Sequence, residues 1–308
     1  MKSIVGLFYV MLTVVLTVSC SKWTPGTDEA PTEAEEQLQL VPVEVRTTYS
    51  VDEREWSSAR AVGVSKTDAT RIALSVFDAS GTSVYSATQR AADEGSGTFS
   101  HIRLAPGTYT FVAVAHRTPS VNSEAATITS PTAATLQESE LLGAVYARTQ
   151  QVIITASDFD TQSVDMMLQL CIAAVRIHLK DALPAGVQQI TMTVNTGQPG
   201  FASLTFNPTT ALCADNVSFT RTWNISSEYI GVENANFIAY AHLNEYPKTV
   251  AVSISALGAD DVVLFTRTFS DIVLKRSFET TIYTHLFTGD AAPELTFEEW
   301  SKETVTID

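Results

Sequence analysis

Few side chains in this sequence have the type and spacing for chemistry, and the clearest is a single thiol. Cys20 follows a charged start, Met1-Lys2-Ser3, an apolar stretch over residues 4–18, and the small residue Ser19. An apolar core too short to span a bilayer, ending at a small residue and a cysteine, has the form of a lipoprotein signal. Cys20 would be diacylated, the peptide over residues 1–19 removed, and the mature chain held to a membrane by lipid, since two or more acyl chains make a stable anchor where one is marginal. The leucine usual three places before the cysteine is Thr17 here, with Leu16 one step further away. The alternative is an ordinary secretory signal with an incidental cysteine; either way the chain is exported.

The remaining candidates for chemistry are sparse. Cys171 and Cys213 sit in no CxxC or Cys/His metal spacing. An oxidising compartment permits a disulfide between them, while the apolar run around Cys171 equally suits a buried free thiol. Asp158 and Asp160 share a face if the segment is extended, but a calcium site needs six to eight oxygens and nothing nearby supplies them. His116, His178, His242 and His285 lie in strand-like runs, where an outward polar position is expected; His101 is the fifth histidine. There is no GxSxG elbow, Walker loop, GxGxxG or HExxH. No enzyme, metal or cofactor is expected. With 19 Lys+Arg against 34 Asp+Glu, a net charge of −15 and no basic cluster, nucleic acid and anionic lipid are poor partners.

The elements that must position these residues are strands. Residues 20–39 carry two prolines and five acids with little to bury, and are expected to form a disordered acidic linker. From residue 40 onward the period is two. Val41, Val43, Val45, Thr47 and Tyr49 alternate with polar partners, as in a strand with one buried face. Ile72, Leu74 and Val76 repeat the pattern before a turn at Asp78-Ala79-Ser80-Gly81, and Ala105-Pro106-Gly107 turns into another strand over residues 108–115. Further strands are expected at 151–155, 187–194, 201–206, 217–223, 236–243, 249–256, 262–269, 280–287 and 304–307. Their aromatics, Phe265 and Phe287 among them, are expected to pack in a core. A helix is plausible only over residues 136–146, weakened by Gly143. The apolar run over residues 164–179 changes parity after Ala173, which implies a bulge or a strand crossing between packing environments. A domain boundary is placed before it, giving β-sandwich domains at 40–160 and 161–308.

Four segments in this order resemble the fimbrillin superfamily of Bacteroidales lipoproteins, nearest to fimbrial anchor and accessory subunits of the FimB and Mfa2 type. They are the leader ending at Cys20, the strand and Phe-Asp-x-x-Gly turn over residues 70–81 with the later segment 106–115, the run 164–179, and the C-terminal stretch Leu295-Thr296-Phe297-Glu298-Glu299-Trp300. The resemblance implies an all-β fold of two tandem transthyretin-like sandwiches and a part in building fimbriae on the outer membrane. Partners would be other fimbrial subunits, outer-membrane lipid through Cys20, and host or bacterial surface ligands.

Members that polymerise do so by strand exchange: a protease cuts after an arginine, the first strand leaves, and a neighbour's strand fills the groove. Here Arg54 or Arg60 could be cut, releasing the strand that carries Val41, Val43 and Val45. Anchor subunits keep both lipid and strand, and no arginine here lies in a recognisable cleavage motif. The tail over residues 295–307 could pair within its own domain or reach a neighbour, with Trp300 as its anchor. Two other classes stand behind: a glycan-binding surface lipoprotein, which an exposed aromatic cluster would favour, and a secreted hydrolase, which converging carboxylates would favour.

Overall fold

The period-two pattern is realised as twenty strands in the computed structural model, which describes residues 40–50, 69–118, 124–137, 143–156, 160–199, 203–288, 293–299 and 304–306. In chain order the first ten are β1 (Val41–Ser50), β2 (Arg71–Phe77), β3 (Ser83–Arg90), β4 (Thr98–Leu104), β5 (Gly107–His116), β6 (Thr127–Ser130), β7 (Ala133–Gln137), β8 (Val145–Ile154), β9 (Gln162–Leu170) and β10 (Ala173–Leu179). The others are β11 (Gln189–Asn195), β12 (Gln198–Pro199), β13 (Ser203–Phe206), β14 (Val217–Asn224), β15 (Ala235–Ala241), β16 (Lys248–Leu257), β17 (Val263–Leu274), β18 (Phe278–Thr284), β19 (Glu294–Glu299) and β20 (Thr304–Thr306).

An eight-stranded sheet runs β20-β1-β9-β8-β5-β2-β3, with β4 also paired to β1. Strands β15-β10-β18-β19 form a four-stranded sheet and β12-β14-β11-β16-β17 a five-stranded one; β13-β7-β6 form a fourth, three-stranded sheet. Strand β2 is buried on both faces. Ile72, Leu74 and Val76 point to one side, while Ala73 and Ser75 on the other are small enough to lie beneath β6. In the five-stranded sheet one face is core, with Ile190, Met192, Val194, Val252 and Ile254 all buried, as alternation requires. Residues Gln39–Asp308 make one compact unit.

The parity change in the long apolar run marks a change of sheet. Strand β9 alternates buried and exposed residues and pairs with β1 and β8; β10, only two residues later, pairs with β15 and β18. The residues between, Cys171 and Ile172, are fully buried. The run therefore divides between two sheets, and partners change between Leu170 and Ala173. Arg276 fastens this crossing, its Nε donating to the Leu170 carbonyl at 3.0 Å and its Nη1 to that of Thr210 at 3.4 Å.

Two expectations are corrected. Within residues 136–146, Leu136 and Gln137 end β7 and Val145 and Tyr146 begin β8, so the two ends of that stretch are strand; residues 138–142 lie outside the described residues. A Cβ at Gly143 would lie 2.8 Å from the Cβ of Arg117, so the glycine serves a close approach. Two of the four histidines expected outward, His116 and His242, also depart from that role. His116 ends β5 at 0% exposure and His242, just after β15, is at 3%, and neither has a hydrogen-bond partner on either ring nitrogen. His242 stacks near the rings of Phe206 and Phe219, at 5.4 and 6.4 Å. Burial lowers His116 to about 4, with the Arg71 guanidinium adding to the effect, and His242 to about 3, with His116 adding.

Candidate strand-exchange site

Strand β1 owes its place to three valines. Val41, Val43 and Val45 are 1%, 1% and 0% exposed, and Thr47 beside them is buried, its hydroxyl donating to the Gly97 carbonyl at 3.0 Å. The alternate residues Glu44 and Arg46 face outward and pair with each other at 2.7 Å. One edge of β1 runs parallel to β9, with Val45 beside Val164 and Thr47 beside Met166. The other edge is antiparallel to β4, with Val41 opposite Leu104, Val43 opposite Ile102 and Val45 opposite Phe99. All five of these apolar neighbours are buried.

The last turn of pairing comes from the far end of the chain. Where β4 stops, opposite Arg46, β20 takes over the same edge and pairs Thr48, Tyr49 and Ser50 with Thr306, Val305 and Thr304. The described parts of the tail pair with their own chain: β19 joins its own sheet beside β18, and β20 joins β1. Both of these partners belong to the same chain. Strand β1 therefore lies inside the sheet, although its partners are far away in sequence.

The remaining sequence candidates are placed as follows. Cys20, Arg54, Arg60, Trp300 and Asp158 lie outside the described residues. Cys171 and Cys213 are free, buried thiols, and burial pushes each up to about 12, so neither is a ready nucleophile. Among the described residues no group of three or more His, Cys, Asp or Glu could hold a metal. A near-buried ion pair, Arg176 with Glu279, joins β10 to β18 through two bonds of 2.6 and 2.9 Å and has the geometry of a structural clamp. Sequence reasoning missed β4, half of the wall around β1. Its only signal was Phe99, Ile102 and Leu104, spaced three and then two because His101, at φ +64°, sits at a register shift.

The chain is similar to the fimbrial anchor protein Mfa2 from Porphyromonas gingivalis at 13% identity and a TM-score of 0.44, covering 85% of this chain and 98% of that one. The tip fimbrial protein Mfa3 from Porphyromonas gingivalis, with C-terminal truncation, matches at 10% identity and a TM-score of 0.46, covering 84% and 100%. A fimbrial assembly protein from Parabacteroides distasonis matches at 12% identity and a TM-score of 0.47, covering 87% and 98%. A search of curated protein sequences gives no match. The family model described as fimbrillin-A associated anchor proteins Mfa1 and Mfa2 matches residues 32–247, a span that includes β1 to β15. The chain belongs to that family, and is a fimbrial accessory or anchor subunit with an all-β fold.

Proposed function

We propose that this protein is the membrane-tethered anchor of a surface fimbria, held to the outer membrane by lipid on Cys20 and holding other fimbrial subunits at its far end. It is built as two tandem sandwiches that meet at residues 171–172. The observation that carries the anchor reading is the position of β1: both of its edges are occupied by its own chain, β9 on one side and β4 followed by β20 on the other. A subunit that keeps its first strand keeps the segment leading back to Cys20 as well. An anchor must retain that continuity, and a polymerising subunit must break it.

A second reading rests on the same strand. Withdrawal of β1 would expose Phe99, Ile102, Leu104, Val164 and Met166 in a groove with free backbone edges, which is what an incoming strand needs. Cleavage after Arg54 or Arg60 would make this chain an acceptor. For the glycan reading, Trp223, Phe237, Tyr240 and Phe269 are buried and offer no platform, while Phe265 and Phe297 are exposed.

The test is Cys20→Ala in the producing cell. The anchor reading expects fimbriae to appear in the medium rather than on cells, with the altered chain at their base. Unchanged surface fimbriae would contradict it.

A further inference from the structure

Two arginines stand directly opposite each other at one end of the eight-stranded sheet. Arg71 on β2 pairs in register with Arg90 on β3, the edge strand, so both side chains leave the same face. Like charges in directly opposite positions are unfavourable unless something negative lies beside them. Arg71 is 7% exposed, and its Nη1 donates to the Thr70 carbonyl at 3.1 Å. Arg90 is exposed, and its guanidinium has no ion pair among the described residues. Asp93, close by in sequence, closes its own turn instead, its carboxylate accepting from the Arg90 backbone N–H at 3.3 Å.

The arginine pair closes one end of a cleft of about 540 Å³, set between the outer face of β2 and β3 and the residues that lead into β6. Its floor follows the register. Ala73 lies opposite Thr88 and Ser75 opposite Ser86, with the two serine hydroxyls 3.2 Å apart. Longer side chains at these four positions would fill the space, as folded proteins ordinarily do. Thr127 and Ile128 of β6 stand along the wall, and Glu124 is exposed at the rim. Gln89, on the opposite face of β3, donates to the Thr98 carbonyl at 2.7 Å and accepts from the Gly97 N–H at 2.8 Å, which ties the edge strand down and keeps the floor in place. The volume falls within the range of about 300–1,000 Å³ typical of small-molecule sites, and a simple inorganic anion would occupy little of it.

We propose that this cleft binds a carboxylated sugar, its carboxylate against Arg90 beside Arg71 and its ring along the floor. A guanidinium fork matches a carboxylate through two parallel charge-assisted bonds, so the open arginine fixes the acid group. Sugar hydroxyls donate and accept, and so do the hydroxyls of Ser86, Thr88 and Thr127, which therefore serve either role. Glu124 adds an acceptor at the rim, and Ala73 and Ile128 suit the apolar face of the ring. A neutral sugar would leave Arg90 without a counter-charge, and a bare carboxylate would leave the hydroxyls to water. The net charge of −15 repels an acidic ligand only at long range, where salt screens it beyond about 8 Å; the arginine contacts are direct. The site needs no aromatic platform and does not depend on where the chain stands in a fimbria.

The experiment titrates the full chain, purified in detergent from the producing cells, with glucuronic acid and with N-acetylneuraminic acid, and follows binding by calorimetry. Glucose and acetate serve as the neutral sugar and the bare carboxylate. At least one sugar acid is expected to bind with a millimolar or tighter dissociation constant, about tenfold or more tighter than glucose or acetate. Arg90→Gln removes the counter-charge and Thr88→Tyr fills the floor; both positions are exposed, and each change should weaken binding by about tenfold or more while circular dichroism stays unchanged. Arg103→Gln, exposed on β4, should leave the affinity as it is. The proposal is overturned if neither sugar acid binds saturably, or if glucose or acetate binds as tightly. Binding indifferent to Arg90→Gln or to Thr88→Tyr, or equally weakened by Arg103→Gln, would overturn it as well.

Discussion

Strands β1 and β17 are both long, both rich in valine and both sites where another chain could add, yet they stand in opposite states. In β1 the valines are at most 1% exposed and both edges are paired; in β17 the first residues are more than one-third exposed and one edge is open. The difference lies in where the partners come from. β1 is covered by strands from three distant parts of the chain, whereas β17 is the second arm of a hairpin with β16 and has nothing beyond it. A closed strand can exchange only after something leaves, and it suits a covalent or proteolytic event. An open edge associates reversibly and is governed by concentration.

The largest effect should come from removing the closed strand. Burying each valine contributes about 1.5–3 kcal/mol, so losing Val41, Val43 and Val45 costs on the order of 5–9 kcal/mol, comparable with a domain's whole stability. A chain lacking residues 40–50 should fail to fold alone and regain its β circular dichroism when a peptide of those residues is supplied; a stably folded deletion would erase the contrast with β17. Next in size is a matched pair of substitutions. Val45→Asp buries a carboxylate without a partner and should lower stability by about 3–5 kcal/mol in urea titrations, while Val263→Asp, at an exposed site, should stay within about 0.5 kcal/mol. Similar losses at both positions would mean that the two strands are not in different environments.

A smaller effect concerns the histidines, His116 at the end of β5 in the sheet that holds β1, and His242 after β15 in the part that holds β17. Both have native values depressed below the unfolded value of 6.5, to about 4 and about 3. Above 6.5 neither state binds the proton and nothing is lost. As the pH falls below 6.5 the unfolded chain takes up protons that the native fold refuses, so stability declines down to about 4 for His116 and about 3 for His242. His242→Phe, among the rings of Phe206 and Phe219, should move the acid-unfolding midpoint to lower pH; an unchanged midpoint would show that His242 does not titrate in this range.

Much of this was legible in the sequence where burial is one-sided. The alternation of Val41, Val43 and Val45 names a strand and its inner face, and the parity change after Ala173 marks the passage from β9 to β10. Legibility fails where the backbone or the environment breaks the period. His101 in the left-handed region disrupts the period of β4. Alternation also says which residues share a face, not whether that face is covered. Phe265 and Phe269 are two strand pairs apart on β17, yet only Phe269 is buried. The histidines fail for a related reason: in a strand a polar ring reads as outward until the packing on both faces is known.

The central claim is that β1 remains part of the mature protein, and intact mass spectrometry of the chain isolated from its native cell surface tests it most directly. The account predicts an acylated N-terminus at Cys20 with a continuous chain through Arg60 and β1. A mature chain beginning at Glu55 or Ala61 would contradict it, and would make this protein a processed subunit whose first strand has left.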